Sequence, residues 1–462
     1  MKSDYLVVGA GAMGMAFTDV LLAETDATVT LVDRRAQPGG HWNDAYPYVR
    51  LHQPSMFYGV PSTPLGEDHR DTSGGNEGLF ELAPKGEVLT YYERLLQRRF
   101  LASGRVSYRS RHEYLGEGRI RSLVTGGETE VEAAHLVDAT YMNVTVPSMR
   151  PPAYAVDPAA TVIAPNQLPL LDAPAERYVV IGAGKTGIDA CLWLLEQQVP
   201  SECIVWIMPR DSWMLDREQI QPTARFFDET IGGFAIESEA IAQAESIPDL
   251  FRRLEQAGRL LRIDPNVEPT MYRCATVTRR ELEELRRLEN IVRLGRVQRV
   301  AASEIELDGG TLPTSSATVH VDCTADGLER RPARPIFDGG RITLQSVRTC
   351  QQVFSAAFIA HVEATYEDDA SKNELCQAVP HPDTALDWLR CGLQNRLNAA
   401  RWSADDELAQ WIATCRLDVT ASAMIGTEAE RIASVFARLA AATPPAMKRL
   451  EELLSQEADR AS

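Results

Sequence analysis

Two stretches of this chain set glycines at fixed offsets behind an apolar run. The first is Asp4-Tyr5-Leu6-Val7-Val8-Gly9-Ala10-Gly11-Ala12-Met13-Gly14, and the second is Arg177-Tyr178-Val179-Val180-Ile181-Gly182-Ala183-Gly184-Lys185-Thr186-Gly187. Both read G-x-G-x-x-G, and the chemistry this spacing offers is phosphate binding. Gly9 and Gly182 permit the tight turn. Gly11 and Gly184 let the backbone approach a pyrophosphate, and Gly14 and Gly187 let the next helix pack closely. The helix N-terminus turns free N–H groups and a positive dipole end to the phosphates, with Lys185 and Thr186 at the start of the second helix. An acid follows the first turn at the dinucleotide spacing of about 20 residues. It is Asp33, with Arg34 beside it, and its carboxylate can accept from ribose hydroxyls. After the second turn the same place reads Pro209-Arg210-Asp211. An arginine there can fork onto a ribose 2′-phosphate, which favours NADPH over NADH. A solvated Arg210 beside Asp211 is the alternative.

The elements that must position these residues are also legible. A β-run ends at Val8, a helix is expected over 12–23, and a second β-run, 27–32, leads into Asp33. The second unit continues with a helix over 188–198, apolar at Ile188, Cys191, Leu192, Leu194 and Leu195, and a β-run over 203–208. Two complete βαβ units in one chain are read most economically as FAD at the first and NADPH at the second, with hydride passing between them. At about 150 residues per domain, 462 residues suggest roughly three domains. The composition is that of a globular protein, with 44% hydrophobic and 24% charged residues. A net charge of −18 argues against a nucleic-acid partner and weakens a role at anionic membranes. The eight cysteines form no CxxC pair and no zinc spacing, so no metal site is expected. The cysteines read mostly as buried thiols of a reducing compartment. No signal pattern opens the chain and no apolar run nears the roughly 18 residues that span a bilayer, so the cytoplasm is the expected location.

Further segments match a known pattern. Arg35-Ala36-Gln37-Pro38-Gly39-Gly40-His41-Trp42 is similar to a "GGxW" stretch, Leu136-Val137-Asp138-Ala139-Thr140 stands in the place of an "ATG" segment, and Val319 to Gly327 sits like its second copy. With the two glycine turns and their order, these make residues 4 to 365 resemble the class B flavin-dependent monooxygenases, the flavin-containing and Baeyer–Villiger group. The resemblance is divergent. The F-x-G-x-x-x-H fingerprint is absent from 141–177, and Tyr141 and Ala325 stand where the "ATG" glycines would be. It implies an α/β fold of two Rossmann-like dinucleotide-binding domains with a helical C-terminal region. Residues 1–145 and 330–462 would form a discontinuous FAD domain and 170–330 an NADPH domain. It also implies oxygenation of a small organic substrate by O2 through a C4a-(hydro)peroxyflavin, of N-, S- or Baeyer–Villiger type. An NADPH-dependent oxidoreductase passing electrons to a quinone, ferredoxin or other acceptor stays open. So does a flavin-binding protein whose catalysis has been lost. Redox-dithiol reductases fit less well, because no CxxC or CxxxxC occurs.

The segment Ala45 to Val60 is aromatic, broken by proline and close behind the first turn, so it is expected at the flavin. Gln53 takes a place similar to the family's asparagine and can hydrogen-bond a flavin peroxide or a nicotinamide amide. His52 can move a proton, and Arg50 can stabilise negative charge. Alternatively, His52 and Arg50 satisfy loop carbonyls. Gln352, before a small-residue helix over 353–364, is a candidate for the flavin's pyrimidine carbonyls. Gly40, Trp42 and Thr140 complete the cofactor set. Residues 61–85 read as loop, 86–102 as helix, 211–280 as weak in strand signal, 278–289 as a charged helix, 291–307 as alternating strands, and 380–462 as helical. The last helix, over 444–458, is expected to pack on the FAD domain or to form a homodimer contact.

Overall fold

The computed structural model describes residues 1–325 and 327–461; Asp326, within the second copy of the "ATG" segment, lies outside them. Its architecture follows from two parallel sheets. The strands Lys2–Val8, Val29–Asp33, Val106–Ser110 and Glu132–Asp138 pair in parallel around the first glycine turn. Arg341–Thr343 joins Glu132–Asp138 in parallel, and Phe337–Asp338 closes that edge antiparallel. The chain therefore leaves this sheet after Asp138 and returns about 200 residues later. The second sheet orders Ile291–Val292, Ile204–Ile207, Arg177–Ile181, Thr318–Asp322 and Thr161–Ile163, all parallel. The runs Leu6-Val7 and Val179-Val180-Ile181 are buried, as strands covered on both faces must be.

The helix Ala12–Glu24 is buried continuously from Met13 to Leu22 because a second helix, Gln352–Thr365, lies along it. Ala16, Ala356, Ala357 and Ala360 are wholly buried in this contact, and their small side chains let the two helices approach. His361 Nδ1 meets Glu24 Oε2 at 2.7 Å. Glu24 ends the first helix and His361 lies near the end of the second, so the two run in the same direction. Their N-termini share the edge of the first sheet that carries the glycine turn.

Three expectations need correction. Residues 211–280 hold a three-stranded sheet of Leu260–Leu261, Ser212–Asp216 and Met271–Val277, with the helices Gly233–Gln243 and Ile247–Gln256. Strand signal was weak because these strands are short and interrupted by a bulge after Trp213. The last helix runs over Ala429–Ala461, through Pro444 and Pro445, rather than starting behind them. Its buried Ala442, Ala446, Leu450 and Leu453 pack mainly on Gly233–Gln243, which offsets the lost proline hydrogen bonds. Finally, Cys274 and Cys350 are joined in a disulfide, whereas the other six cysteines are thiols. Among the described residues no helix is long and apolar enough to cross a membrane.

Candidate functional site

The two glycine turns fold in the same way. Gly9 and Gly182 have φ of +105° and +125°, the left-handed region where a side chain is strained. A Cβ on Gly14 would lie 1.9 Å from the Gly9 carbonyl oxygen, and one on Gly187 2.1 Å from that of Gly182. Each third glycine therefore holds its helix against its strand. Gly11 and Gly184 are the N-caps of the helices Ala12–Glu24 and Lys185–Glu196, and as glycines neither offers a side chain to accept from the first N–H groups of its helix. In front of Gly184 nothing lies within 4 Å of a built Cβ. Gly40 lies against Gly11, where its own Cβ would come 2.9 Å from the Gly11 Cα.

Each turn is faced by an Asp-x-Thr corner at the end of a neighbouring strand. Thr140 donates from Oγ1 to Asp138 Oδ1 at 2.7 Å, and Thr324 donates to Asp322 Oδ1 at 2.6 Å. The repeat in geometry explains how both segments do without the glycine that follows threonine in the related motif. The aspartate two residues earlier closes the turn by accepting the threonine hydroxyl and its backbone N–H.

Asp33 accepts from Ala10 N and Arg35 N, both at 2.7 Å, while burial pushes its carboxyl up. Arg34 is exposed beside it. The buried Tyr108 hydroxyl, within electrostatic reach of Asp33, finds no partner among the described residues. A carboxylate at the end of the strand that follows a glycine turn suits a ribose. The uncapped helix ends suit a pyrophosphate. The donor set thus fits a dinucleotide at each turn.

The aromatic segment lies between the two turns. Tyr46 donates to Asp189 Oδ2 at 2.6 Å, and Tyr48 stacks on Trp193 at 5.2 Å, so the segment rests on the helix that begins at Lys185. Lys185 itself pairs with Asp189. Trp42 is buried and donates to Tyr58 Oη at 2.7 Å. His52 is half-buried, and burial, with Lys185 and Arg217 nearby, holds its imidazole well below its usual pKa. It is therefore neutral at pH 7 and offers an acceptor rather than a charge. Gln53 donates at 3.4 Å to Phe57 O, and Arg50 is exposed and donates to Leu82 O. The structure thus brings His52 to Lys185 and leaves Arg50 on the outer side of the segment.

Two arginines beyond the reach of sequence reasoning fix this segment. Arg217, 1% exposed, donates to His52 O and to Asn76 Oδ1 at 3.1 Å and pairs with Glu281 at 3.0 Å. Arg416 donates to the carbonyls of Met56, Tyr58 and Val60. No motif signals either residue, because the segment they hold lies more than a hundred residues away.

Arg210 pairs with Asp383 at 2.8 Å, and Arg273 and Arg330 reach the same carboxylate at 2.6 and 2.5 Å. Burial alone would raise the Asp383 carboxyl, but hydrogen bonds from Arg210 and Arg273 hold it well below the usual carboxylate range. Three guanidinium groups thus gather at one carboxylate. Asp211, the neighbour that clouds the reading of Arg210 in sequence, is occupied by Arg293 at 2.8 Å. Gln352 is half-buried at the start of its helix, and Thr186 is half-buried in the first turn after Gly184.

Comparison with known proteins bears on this arrangement. Residues 7–53 match the family pattern of the NAD(P)-binding Rossmann-like domain. Uncharacterized proteins of Mycobacterium tuberculosis and Mycobacterium bovis are 53% identical over 421 residues, which is 91% of this chain and 78% of theirs. The chain belongs to this mycobacterial family. Among solved structures, an oxidized steroid monooxygenase bound to NADP matches 79% of the chain and 85% of its own, at 15% identity and a TM-score of 0.50. A complex of OTEMO with FAD and NADP matches 78% and 83%, also at 15% identity and a TM-score of 0.50. The family member described here therefore has the fold of the two-dinucleotide-binding flavoprotein monooxygenases.

Proposed function

We propose that the protein is an FAD- and NADPH-dependent monooxygenase acting on a small organic substrate, with FAD at the first glycine turn and NADPH at the second. The observation that carries this reading is the pair of uncapped helix N-termini, at Gly11 and Gly184, with one aromatic segment between them. Bound at those turns, the two dinucleotides supply hydride transfer and reaction with O2.

The chain's own residues do the rest. Backbone N–H groups at Gly11 and Gly184 bind the pyrophosphates, and Asp33 orients the ribose of the first. Arg210, with Arg273 and Arg330 behind it, takes the 2′-phosphate of the second. The segment held by Arg217 and Arg416 closes the space between the turns with buried aromatic surface, which excludes water. His52, kept neutral, accepts a hydrogen bond at a ring nitrogen, and Gln53 orients an amide or oxygen by donating and accepting. The OTEMO complex of like fold holds FAD and NADP, and the steroid monooxygenase holds NADP, which supports the pairing of cofactors.

The test is optical. Purified protein is expected to be yellow, to bleach anaerobically on adding NADPH, and to bleach more slowly with NADH. A colourless protein to which FAD does not bind refutes the proposal.

A further inference from the structure

The disulfide belongs to neither glycine turn, yet it lies where the two halves meet. Arg341–Thr343 runs parallel to Glu132–Asp138, and Leu344 N donates to Asp138 O. The chain after Thr343 therefore crosses the same sheet edge that carries Gly9, Gly11 and Thr140. Cys350 stands at the end of that crossing, two residues before the helix Gln352–Thr365. Its partner, Cys274, is on the strand Met271–Val277, which belongs to the segment inserted after the second glycine turn. Next to Cys274, Arg273 binds Asp383, the carboxylate that also holds Arg210. The S–S bond thus sits between the edge that the proposed function gives to FAD and the arginines that it gives to NADPH.

Three further observations separate this pair from the other thiols. Both cysteines have left-handed backbones, φ +55° and +59°, a strain that non-glycine residues seldom carry. His381 Nδ1 lies 3.9 Å from Cys350 Sγ, and all three residues are half-buried rather than sealed in the core. Burial, with Arg273 and Arg330 nearby, lowers the His381 imidazole to about 4, so the ring is neutral beside the Cys350 sulfur. Cys391 is nearby, but burial pushes its thiol up to about 12, and it donates to Pro380 O at 3.0 Å. It stays a protonated bystander.

We propose that Cys274 and Cys350 are a redox-active pair that accepts electrons from the bound cofactors, giving the protein a thiol–disulfide activity alongside oxygenation. The S–S bond breaks as it takes two electrons from reduced flavin, which returns to the oxidised form. One proton comes from the reduced flavin and one from water, and two thiols result, with His381 Nδ1 placed to hydrogen-bond Cys350 Sγ. NADPH supplies the electrons by reducing the flavin again. The proposal rests on the FAD and NADPH reading above.

The experiment uses the holoprotein without oxygen and counts thiols by alkylation and mass spectrometry after unfolding. As purified, the protein should show six free thiols, and after NADPH and its removal all eight. NADPH uptake should be about two equivalents per chain, because flavin and disulfide each take two electrons. In the Cys274→Ser/Cys350→Ser variant uptake should fall to about one, with six thiols before and after. Complete flavin bleaching by about one equivalent in the unaltered protein, with the thiol count unchanged, overturns the proposal and leaves the flavin reading standing. Eight thiols holding stoichiometric zinc in the purified protein overturn it as well. Absence of flavin overturns both, and colour reports that independently.

Discussion

Two substitutions three residues apart separate binding from packing at the second glycine turn. Gly184 is the N-cap of its helix, with φ −79°, and has open space around a built Cβ. Gly184→Ala therefore costs only the glycine-to-alanine difference at a cap, about 1 kcal/mol or less. The new methyl, however, stands where the backbone must approach a pyrophosphate. Keeping the phosphates from two N–H groups, each charge-assisted bond worth about 1.5–3 kcal/mol, should weaken NADPH binding by about 10²- to 10⁴-fold. Gly187→Ala does the opposite. Its Cβ falls 2.1 Å from the Gly182 carbonyl oxygen, a backbone atom that cannot step aside. Overpacking of this kind costs about 1–3 kcal/mol of stability, with loss of NADPH binding as a consequence. Chemical denaturation and calorimetric titration with NADPH read the two quantities separately. Unaltered NADPH affinity in a folded Gly184→Ala protein would refute the phosphate site, whatever its stability.

Other outcomes follow from the same geometry. Arg210→Ala should raise the Km for NADPH about 10- to 100-fold while moving that for NADH little, since one charge-assisted phosphate contact is lost; equal effects would remove its 2′-phosphate role. Arg217→Met should cost about 3–5 kcal/mol in denaturant melts, because Glu281 is left without its buried partner; a change below about 1 kcal/mol would show that the pair does not anchor the aromatic segment. Stability should also fall on acidification. The imidazoles of His41 and His381 are lowered to about 4 and that of His52 lies well below its usual value, all chiefly by burial. The unfolded chain then binds protons that the folded one refuses as pH drops below about 6.5. His41 and His381 each lose roughly 1.4 kcal/mol by pH 5.5, and His52 acts in the same direction. The carboxyls of Asp33 and Asp216, raised by burial, act in the opposite sense and oppose the loss only as they take up protons at lower pH. Equal denaturation midpoints at pH 7.5 and 5.5 would contradict the burial of the three imidazoles.

The parts of this site legible in the sequence are those in which the backbone itself constrains residue type. Gly9, Gly14, Gly182 and Gly187 are forced by left-handed φ or by contact with a carbonyl oxygen, and those constraints act within a few residues. The strands on either side of each glycine turn were legible because burial on both faces demands an unbroken apolar run, whereas Val106–Ser110 and Thr161–Ile163, more exposed, carry no such run. What stayed hidden depends on partners far along the chain. Arg217 joins His52 to Glu281, Arg416 caps the carbonyls of 56–60, and the cysteines that meet are 76 residues apart. Nothing near any of these residues in sequence announces its partner. Pro444 and Pro445 misled for the reverse reason. Local preference ends a helix there, and packing on Gly233–Gln243 carries it through.

The central claim is that the two turns hold FAD and NADPH for oxygen insertion, and one measurement addresses it most directly. Protein titrated anaerobically with NADPH just until the flavin is fully bleached is mixed rapidly with O2, and its spectrum is followed from milliseconds to seconds. The account predicts a transient absorbing species, distinct from both oxidised and reduced flavin, that outlasts mixing and decays faster when an oxygen-accepting substrate is present. Immediate return of the oxidised flavin spectrum, with hydrogen peroxide formed in proportion, would contradict it.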